Sequence, residues 1–256
     1  MTSRRPLSEL LAAEEHARTS TGWDLSFIGM RQLGAPLPWD YEQLAREALA
    51  DARTAVDLGT GGAEVLLRVT EGTTARVTAT EQWGPNARLA HERLRPRGIP
   101  LVWCEAEARR MPFRDAAFDL VLDRHEALDP AEVDRVLAPG GTVLTQQVTS
   151  RTWPELRRYI PRATVFRDHD TEYPAAFRSL GYEVEFQRHD FEVAFPTLPA
   201  LVHMLVVAPW TISDFAVERD IEALRALESD LSGPQGIVLA DGRYLLRARK
   251  PSGELS

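Results

Sequence analysis

The sequence has little of what marks exported, metal-binding or membrane-spanning proteins. Its one cysteine, Cys104, rules out a disulfide within the chain and a metal site of several thiolates. No run approaches the roughly 18 apolar residues that a membrane span needs. Charged residues follow Arg4 and Arg5, where an export signal would need an apolar core. We therefore expect a soluble, cytoplasmic protein with no metal and no membrane contact.

The sequence also lacks an excess of positive charge. Its 30 basic and 38 acidic residues give a net charge of -8, which repels a phosphate backbone and disfavours nucleic acid as a partner. A local basic patch is conceivable between Arg151 and Arg162, but arginines on a helix more often form a solvated face.

A regular alternation of apolar runs and amphipathic segments begins at Ala55. The runs are AVDL, ARVTAT, PLVW, FDLVL and TVLTQQV. Alternation of this kind is typical of βαβ units that build a parallel sheet. We predict an α/β fold with a doubly wound sheet.

The flanking segments read as helices. We assign residues 1–50 to an N-terminal helical cap region and residues 51–256 to the α/β domain, with a helical lid insertion at about 197–231. The further predicted elements are helices at 7–18, 41–50, 173–180, 198–207 and 218–231, and strands at 183–188 and 244–249.

The most informative segment is a glycine turn after the first strand of the domain, Asp57-Leu58-Gly59-Thr60-Gly61-Gly62. Glycines let a ligand approach the backbone without obstruction by a Cβ atom. A dinucleotide fingerprint would need a third glycine where Glu64 stands, which counts against NAD.

This segment resembles motif I of class I S-adenosylmethionine-dependent methyltransferases, in which an acidic residue precedes alternating glycines. Ala63 replaces the last glycine of the pattern. The resemblance implies S-adenosyl-L-methionine as cofactor, held by the backbone at Gly59, Thr60 and Gly61, with Asp57 orienting its ammonium group. It also implies a Rossmann-like, seven-stranded sheet, mostly parallel with the last strand antiparallel.

A second segment ends the next strand at Glu81, 24 residues after Asp57. This is close to the spacing at which a carboxylate receives both ribose hydroxyls of a nucleoside. A carboxylate suits the task because it offers several acceptor sites. The resemblance places Gln82 and Trp83 against the adenine, although core packing accounts for Trp83 equally well.

A third segment, Glu107-Ala108-Arg109-Arg110-Met111-Pro112-Phe113, resembles the family's motif before the fourth strand. The resemblance implies that Glu107 accepts the adenine amino group and that the Ala108 backbone donates to a ring nitrogen. Glutamate stands where the family usually has aspartate. The likeness covers about residues 37–148, and the stretches 123–126 and 144–148 are similar to a bacterial subgroup, the type 11-like methyltransferases.

The fourth strand of such a domain directs its carboxyl end at the sulfonium, so Arg124, His125 and Glu126 are expected near the reacting methyl group, with Arg124 also assigned to the cofactor. His125 is the candidate base because imidazole titrates near neutral pH. A histidine that hydrogen-bonds the cofactor or the loop is an equal alternative. Glu126 is the weaker catalytic candidate, since a charged surface stretch follows it.

Four residues are candidates for a substrate pocket, because aromatic faces suit planar acceptors and a nearby cation. They are Trp23, Tyr41, His203 and Trp210. Core packing explains Trp23, Tyr41 and Trp210 equally well, and a histidine in an apolar run such as His203 is more often a buried, hydrogen-bonded core residue than a catalyst. A helical insertion before the last strand is the usual place for a lid in this family, which favours an enclosed small molecule.

We expect methyl transfer to a small-molecule acceptor by in-line displacement. Three alternatives stay open at this point: methylation of a nucleic-acid base, a protein that binds the cofactor without methylating, and a NAD-linked oxidoreductase. The sequence does not indicate an oligomeric state.

Overall fold

A computed structural model describes residues 6–105 and 110–253 of the chain. In these residues nine strands form one sheet. The strands are β1 (Arg31–Leu33), β2 (Thr54–Leu58), β3 (Arg76–Thr80), β4 (Leu101–Val102), β5 (Phe118–Arg124), β6 (Leu137–Val148), β7 (Glu183–Phe195), β8 (Ser232–Gly233) and β9 (Gly236–Arg249).

The sheet has the order β1-β7-β9-β6-β5-β2-β3-β4, with β8 paired to β9. Strands β4, β3, β2, β5 and β6 are parallel to one another, whereas β9 runs antiparallel to both β6 and β7. The predicted seven-stranded sheet with an antiparallel last strand is therefore confirmed. The two strands beyond seven are the short β1 and β8, at the far edge and beside β9.

Nine α-helices accompany the strands within the described ranges. They are α1 (Leu7–Thr19), α2 (Tyr41–Asp51), α3 (Glu64–Val69), α4 (Gly84–Leu94), α5 (Pro130–Val136), α6 (Leu156–Tyr159), α7 (His169–Ser179), α8 (Leu198–Val207) and α9 (Val217–Leu231). Short polar side chains fix several starts: Asp40, Asp129 and Thr197 each accept a backbone N–H from the first turn that follows. All five helices predicted outside the alternating region are present.

Both faces of the sheet are covered by helices. On one face, Leu122 of β5 packs with Leu49 of α2 and Leu94 of α4. On the other face, Val121 packs with Val133 of α5 and Phe177 of α7. Neighbouring residues of a strand point to opposite faces, so β5 feeds both cores.

A third apolar cluster, which we call the cap cluster, lies beyond the sheet's main body. Helices α1, α8 and α9 meet there with the outer halves of β7 and β9, through residues that include Leu10, Leu201, Leu224, Phe195 and Ile237. Thus α1 packs with the insertion, whereas α2 packs on the sheet. The division of the chain at residue 50 stays a prediction.

Strands β7 and β9 are each about twice as long as predicted. The sequence pair Asp241-Gly242 favours a turn, yet it lies inside β9. Asp241 is fully buried and accepts the Thr152 hydroxyl at 2.9 Å, with Arg243 as its ion-pair partner. Register continues from Glu183↔Arg249 to Phe195↔Ile237, because the outer halves of both strands carry the cap cluster.

Among the described residues there is neither a membrane-spanning helix nor a cluster of metal ligands. None of their helices has the length and apolar character to cross a bilayer. In the same residues, no three histidine, cysteine or acidic side chains come together as metal ligands would.

The start of β9 gives a stability prediction. Gly236 has φ +99°, and a Cβ atom there would collide with the backbone carbonyl of Phe195. Gly236→Ala is expected to lower the free energy of unfolding by about 3 kcal/mol, because strain and a clash with backbone add up. Gly72→Ala is the matched control: its φ is +76° but its Cβ would meet nothing within 4 Å. It should lose about 1 kcal/mol in urea titrations. Equal losses would contradict the clash.

Candidate cofactor and acceptor site

Four parallel strands end together at one edge of the sheet. Their register aligns Asp57 of β2 with Ala79 of β3 and with Leu122 of β5, and it aligns Arg124 of β5 with Gln146 of β6. In open α/β sheets the ligand crevice lies outside these carboxyl ends. The predicted glycine turn, Glu81 and the segment after β5 are thereby brought to one place.

The glycine turn needs its glycines. Gly59 and Gly61 have φ values of +62° and +61°, a region that side chains other than glycine rarely adopt. Thr80 holds the turn, since its carbonyl accepts the Thr60 N–H at 2.8 Å and its hydroxyl accepts the Gly59 N–H at 3.2 Å. The side chains of Trp23 and Glu126 pack against Gly61 and Gly59 respectively, where a Cβ atom would stand.

Glu81 is anchored by two backbone donors. Its Oε2 accepts the Gly61 N–H at 2.7 Å and its Oε1 accepts the Trp83 N–H at 2.8 Å. The residue is 5% exposed, and burial raises the pKa of its carboxyl group. Because a carboxylate has about four acceptor sites, one lone pair on each oxygen is left for a ligand hydroxyl.

Asp57 stands at the floor of the crevice. Asp57 is half-buried, and this desolvation, with the nearby Glu81 carboxylate, raises the pKa of Asp57 to about 7. The Thr60 hydroxyl lies close to it without completing a hydrogen bond. A cation at this point would relieve the cost of ionising Asp57, which fits an ammonium group.

Tyr41 lies behind this floor. It is 6% exposed and packs in the core with Ala45 and Leu49 of its own helix. Its buried hydroxyl has no hydrogen-bond partner of good geometry among the described residues. Burial and the carboxylates of Asp57 and Asp123 raise the pKa of Tyr41.

Aromatic side chains border the crevice beyond Glu81. Trp83 is 49% exposed and Trp103, which follows β4, is 75% exposed. The Trp103 indole N–H donates to the Gln82 carbonyl at 2.6 Å, which joins the ends of β3 and β4. Sequence reasoning missed Trp103. Glu107 and Ala108, assigned to the adenine, lie outside the described residues.

A buried network of polar side chains, centred on Asp123, supports the turn after β5. Asp123, which is fully buried, accepts the Thr145 hydroxyl at 2.9 Å and the Gln147 amide at 2.7 Å. Its other oxygen accepts the Glu126 N–H at 3.2 Å. Burial raises the pKa of Asp123 well above its ordinary value. This network fixes where residues 124–126 stand.

His125 is held by two contacts to Gln146 of β6, on the sheet face opposite to the Asp123 network. Its backbone N–H donates to the Gln146 carbonyl at 2.9 Å, and its Nε2 lies 3.2 Å from the Gln146 side-chain nitrogen. Gln146 in turn accepts the Trp39 indole N–H at 2.8 Å. His125 is exposed as a residue, but desolvation by the neighbouring protein, with the charges of Arg243 and Arg124, lowers the pKa of His125 well below its ordinary value.

Two arginines supply the positive charge near His125. Arg124 forms no ion pair or hydrogen bond with any other described residue, so its guanidinium is available to an anionic ligand group. Arg243 is committed: it pairs with Asp241, donates to the Gly242 carbonyl and lies over the Phe191 ring at 5.5 Å.

The candidate pocket residues do not all converge. Trp23 reaches the glycine turn, and Trp210 lies beside it with ring centroids 5.6 Å apart. His203 lies on α8 and is 3% exposed. Its ring contacts the rings of His16 and Phe27. Its Nε2 is buried without a partner among the described atoms.

Sequence reasoning also assigned no role to Gln146, Gln147 and Asp123. Their signal was present, since polar residues interrupt the otherwise apolar strands LVLD and TVLTQQV. A buried polar group is costly unless it is hydrogen-bonded, so such interruptions point to a network.

The strand order and the crevice at the carboxyl ends define a Rossmann-like fold. The family model described as a methyltransferase domain matches residues 56–145. This stretch is therefore similar to the domain of class I S-adenosylmethionine-dependent methyltransferases.

Known proteins show similarity to part of the chain. The ubiquinone/menaquinone biosynthesis C-methyltransferase UbiE of Cupriavidus necator is 29% identical over 144 residues, which cover 53% of this chain and 57% of that protein. The demethylmenaquinone methyltransferase of Thermus thermophilus is 31% identical over 121 residues, covering 43% and 54%. The chain thus spans little more than half the length of these curated relatives.

A solved structure extends the likeness in fold. The YcgJ protein of Bacillus subtilis superposes with a TM-score of 0.61 at 17% identity, covering 83% of this chain and 99% of that one. At this identity the likeness concerns the fold alone.

Proposed function

We propose that this chain transfers a methyl group from S-adenosylmethionine to a small-molecule acceptor by in-line displacement. The observation that carries the proposal is the hydrogen bond from the Gly61 N–H to the Glu81 carboxylate. It places a carboxylate that suits the hydroxyls of a nucleoside directly beside the glycine turn. The curated relatives, named for methylation in quinone biosynthesis, support the same class of reaction.

The residues of the crevice fit the cofactor's parts. Glu81 has lone pairs left for the two ribose hydroxyls. Asp57 suits the cofactor's ammonium group, because a cation favours its ionised form. Arg124, which is not ion-paired with a described residue, suits the cofactor's carboxylate. Trp83 and Gln82 border the place for a purine. When bound, S-adenosylmethionine supplies an electrophilic methyl group on a sulfonium sulfur. Trp23 and Glu126 pack on the glycines and must move aside to admit it.

The acceptor is proposed to be small and planar. Two exposed aromatic side chains, Trp23 and Trp210, lie beside the glycine turn of the crevice. Aromatic faces bind planar rings and tolerate a neighbouring cation. Holding acceptor and methyl group in line accounts for much of the acceleration that such a site provides.

Turnover of the cofactor tests the proposal. Purified protein is incubated with S-adenosylmethionine and one of three fractions of a bacterial lysate: small molecules, RNA or protein. We expect S-adenosylhomocysteine and a methylated product, detected by mass spectrometry, with the small-molecule fraction only. Turnover that depends on RNA, or binding without turnover in any fraction, would contradict the proposal.

The raised pKa of Asp57 predicts a pH dependence of binding. Between its ordinary pKa of 3.8 and about 7, Asp57 holds a proton that a bound ammonium group would expel. Affinity for S-adenosylmethionine should therefore rise about tenfold per pH unit up to pH 7 and level off above it. Asp57→Asn should bind more weakly and lose this part of the slope. Calorimetry in two buffers of different ionisation enthalpy measures the proton release; none in the parent protein would contradict the assignment.

A further inference from the structure

The Trp39 indole fixes the orientation of the Gln146 side-chain amide. An indole N–H can only donate, so the oxygen of the amide must face Trp39, as the 2.8 Å contact shows. The amide NH₂ group is thereby turned toward His125 Nε2, 3.2 Å away. Gln146 is 4% exposed, and its backbone carbonyl also holds the His125 N–H, so the pair is doubly tied.

An NH₂ group cannot accept a hydrogen bond, so His125 Nε2 must accept one. The neutral ring then carries its proton on Nδ1. An imidazolium would place two donors face to face. The charged groups that face the ring, Arg124 on β5 and Arg243 on β9, also oppose protonation, and Glu126 is its chain neighbour.

The Nδ1 edge of His125 has no hydrogen-bond partner in residues 6–105 and 110–253. Among the described residues no carbonyl or carboxylate accepts from it, while the residue as a whole is exposed. A base would need a free lone pair, but the ring's one lone pair is engaged by Gln146. The ring offers the crevice a donor instead.

We propose that His125 donates a fixed hydrogen bond from Nδ1 to an ionised oxygen of the methyl acceptor, a phenolate or enolate. The proposal rests on the proposed function of this site. Methyl transfer then forms a bond from the acceptor's oxygen, or from its conjugated carbon, to the methyl carbon. The carbon–sulfur bond breaks and leaves its electron pair on sulfur. Because the acceptor arrives as the anion, no protein base takes a proton at an oxygen centre.

Nitrogen-15 spectra of histidine-labelled protein test the tautomer directly. We expect His125 to show the neutral Nδ1–H form from pH 6 to 8. Gln146→Glu should shift the proton to Nε2 or charge the ring, because a carboxylate accepts from both Trp39 and His125. Gln187→Glu makes the same change at an exposed position of β7 and should leave the His125 signals unchanged. An Nε2–H form or an imidazolium in the parent at pH 7 would overturn the proposal.

A spectroscopic probe tests the acceptor class. With S-adenosylhomocysteine bound, 4-nitrophenol should bind as its coloured phenolate at a pH below the pKa of the free probe, and neutral 4-nitroanisole should bind more weakly. His125→Asn, which keeps a donor near the Nδ1 position, should retain this binding. His125→Phe should lose about tenfold or more.

The outcomes separate this inference from the proposed function. In protein saturated with S-adenosylhomocysteine, equal binding of both probes, or of neither, overturns the acceptor class. Failure of S-adenosylhomocysteine to bind refutes the proposed function, while the tautomer measurement on the free protein still stands by itself.

Discussion

Replacing Glu81 with alanine is expected to weaken the binding of S-adenosylmethionine and S-adenosylhomocysteine by about 100-fold or more. The carboxylate has lone pairs for two ribose hydroxyls, and hydrogen bonds to a charged group contribute about 1.5–3 kcal/mol each. The substitution also leaves the Gly61 and Trp83 N–H groups without their acceptor. Calorimetric titration measures the loss.

Two further variants serve as comparisons for Glu81→Ala. Glu81→Gln keeps one acceptor oxygen and should fall between the parent and the alanine variant. Glu92→Ala removes an exposed glutamate from α4, well away from the crevice, and should bind as the parent does. If Glu81→Ala retains the parent's affinity while folded, our placement of the ribose is wrong.

The second large effect is expected from Arg135→Ala, which should lower the free energy of unfolding by about 3 kcal/mol. Arg135 donates to the carbonyls of Met111 and Phe113 at 3.1 and 2.8 Å, and it pairs with Asp115 and Glu132. Glu132 is 4% exposed, so losing its partner leaves a buried charge uncompensated. This one side chain ties the Met111-Pro112-Phe113 motif to α5.

Arg46→Ala is the matched control for this loss. Arg46 pairs with Glu42 one helical turn away at 3.4 Å, and 46% of its side chain is exposed. An exposed pair of this kind contributes about 0.5 kcal/mol or less. Urea titrations of both variants give the comparison. A loss at Arg135 no larger than that at Arg46 would show that the ion pair does not hold the motif.

The inner elements were predictable because their signals are local. Asp57 near the end of β2, the glycines with positive φ and Glu81 directly after β3 follow one another within 25 residues. Apolar runs of strand length and small residues at turns depend on short-range geometry. The sequence pattern was therefore sufficient for the parallel strands of the sheet, whereas the role of Glu81 toward a ribose stays a prediction.

The outer halves of β7 and β9 were not predictable in this way. Their residues alternate less clearly, and Asp241-Gly242 is a turn signal in isolation. What keeps the pair extended is burial against α1, α8 and α9, which are distant in sequence. Packing of this kind overrides local preference.

The surroundings of His125 were hidden for a related reason. Gln146 is 21 residues away and Trp39 lies 107 residues from Gln146, so their chain of hydrogen bonds exists only once β5 and β6 are in register. From the sequence, His125 was a candidate base. The observed contacts instead favour a donor, because they occupy its lone pair.

The central claim is that the crevice binds S-adenosylmethionine, and isothermal titration of the parent protein tests it most directly. The account predicts micromolar binding of S-adenosylmethionine and S-adenosylhomocysteine and no binding of NADH. If folded protein binds neither sulfur compound, the glycine turn serves another ligand and the proposed function is contradicted.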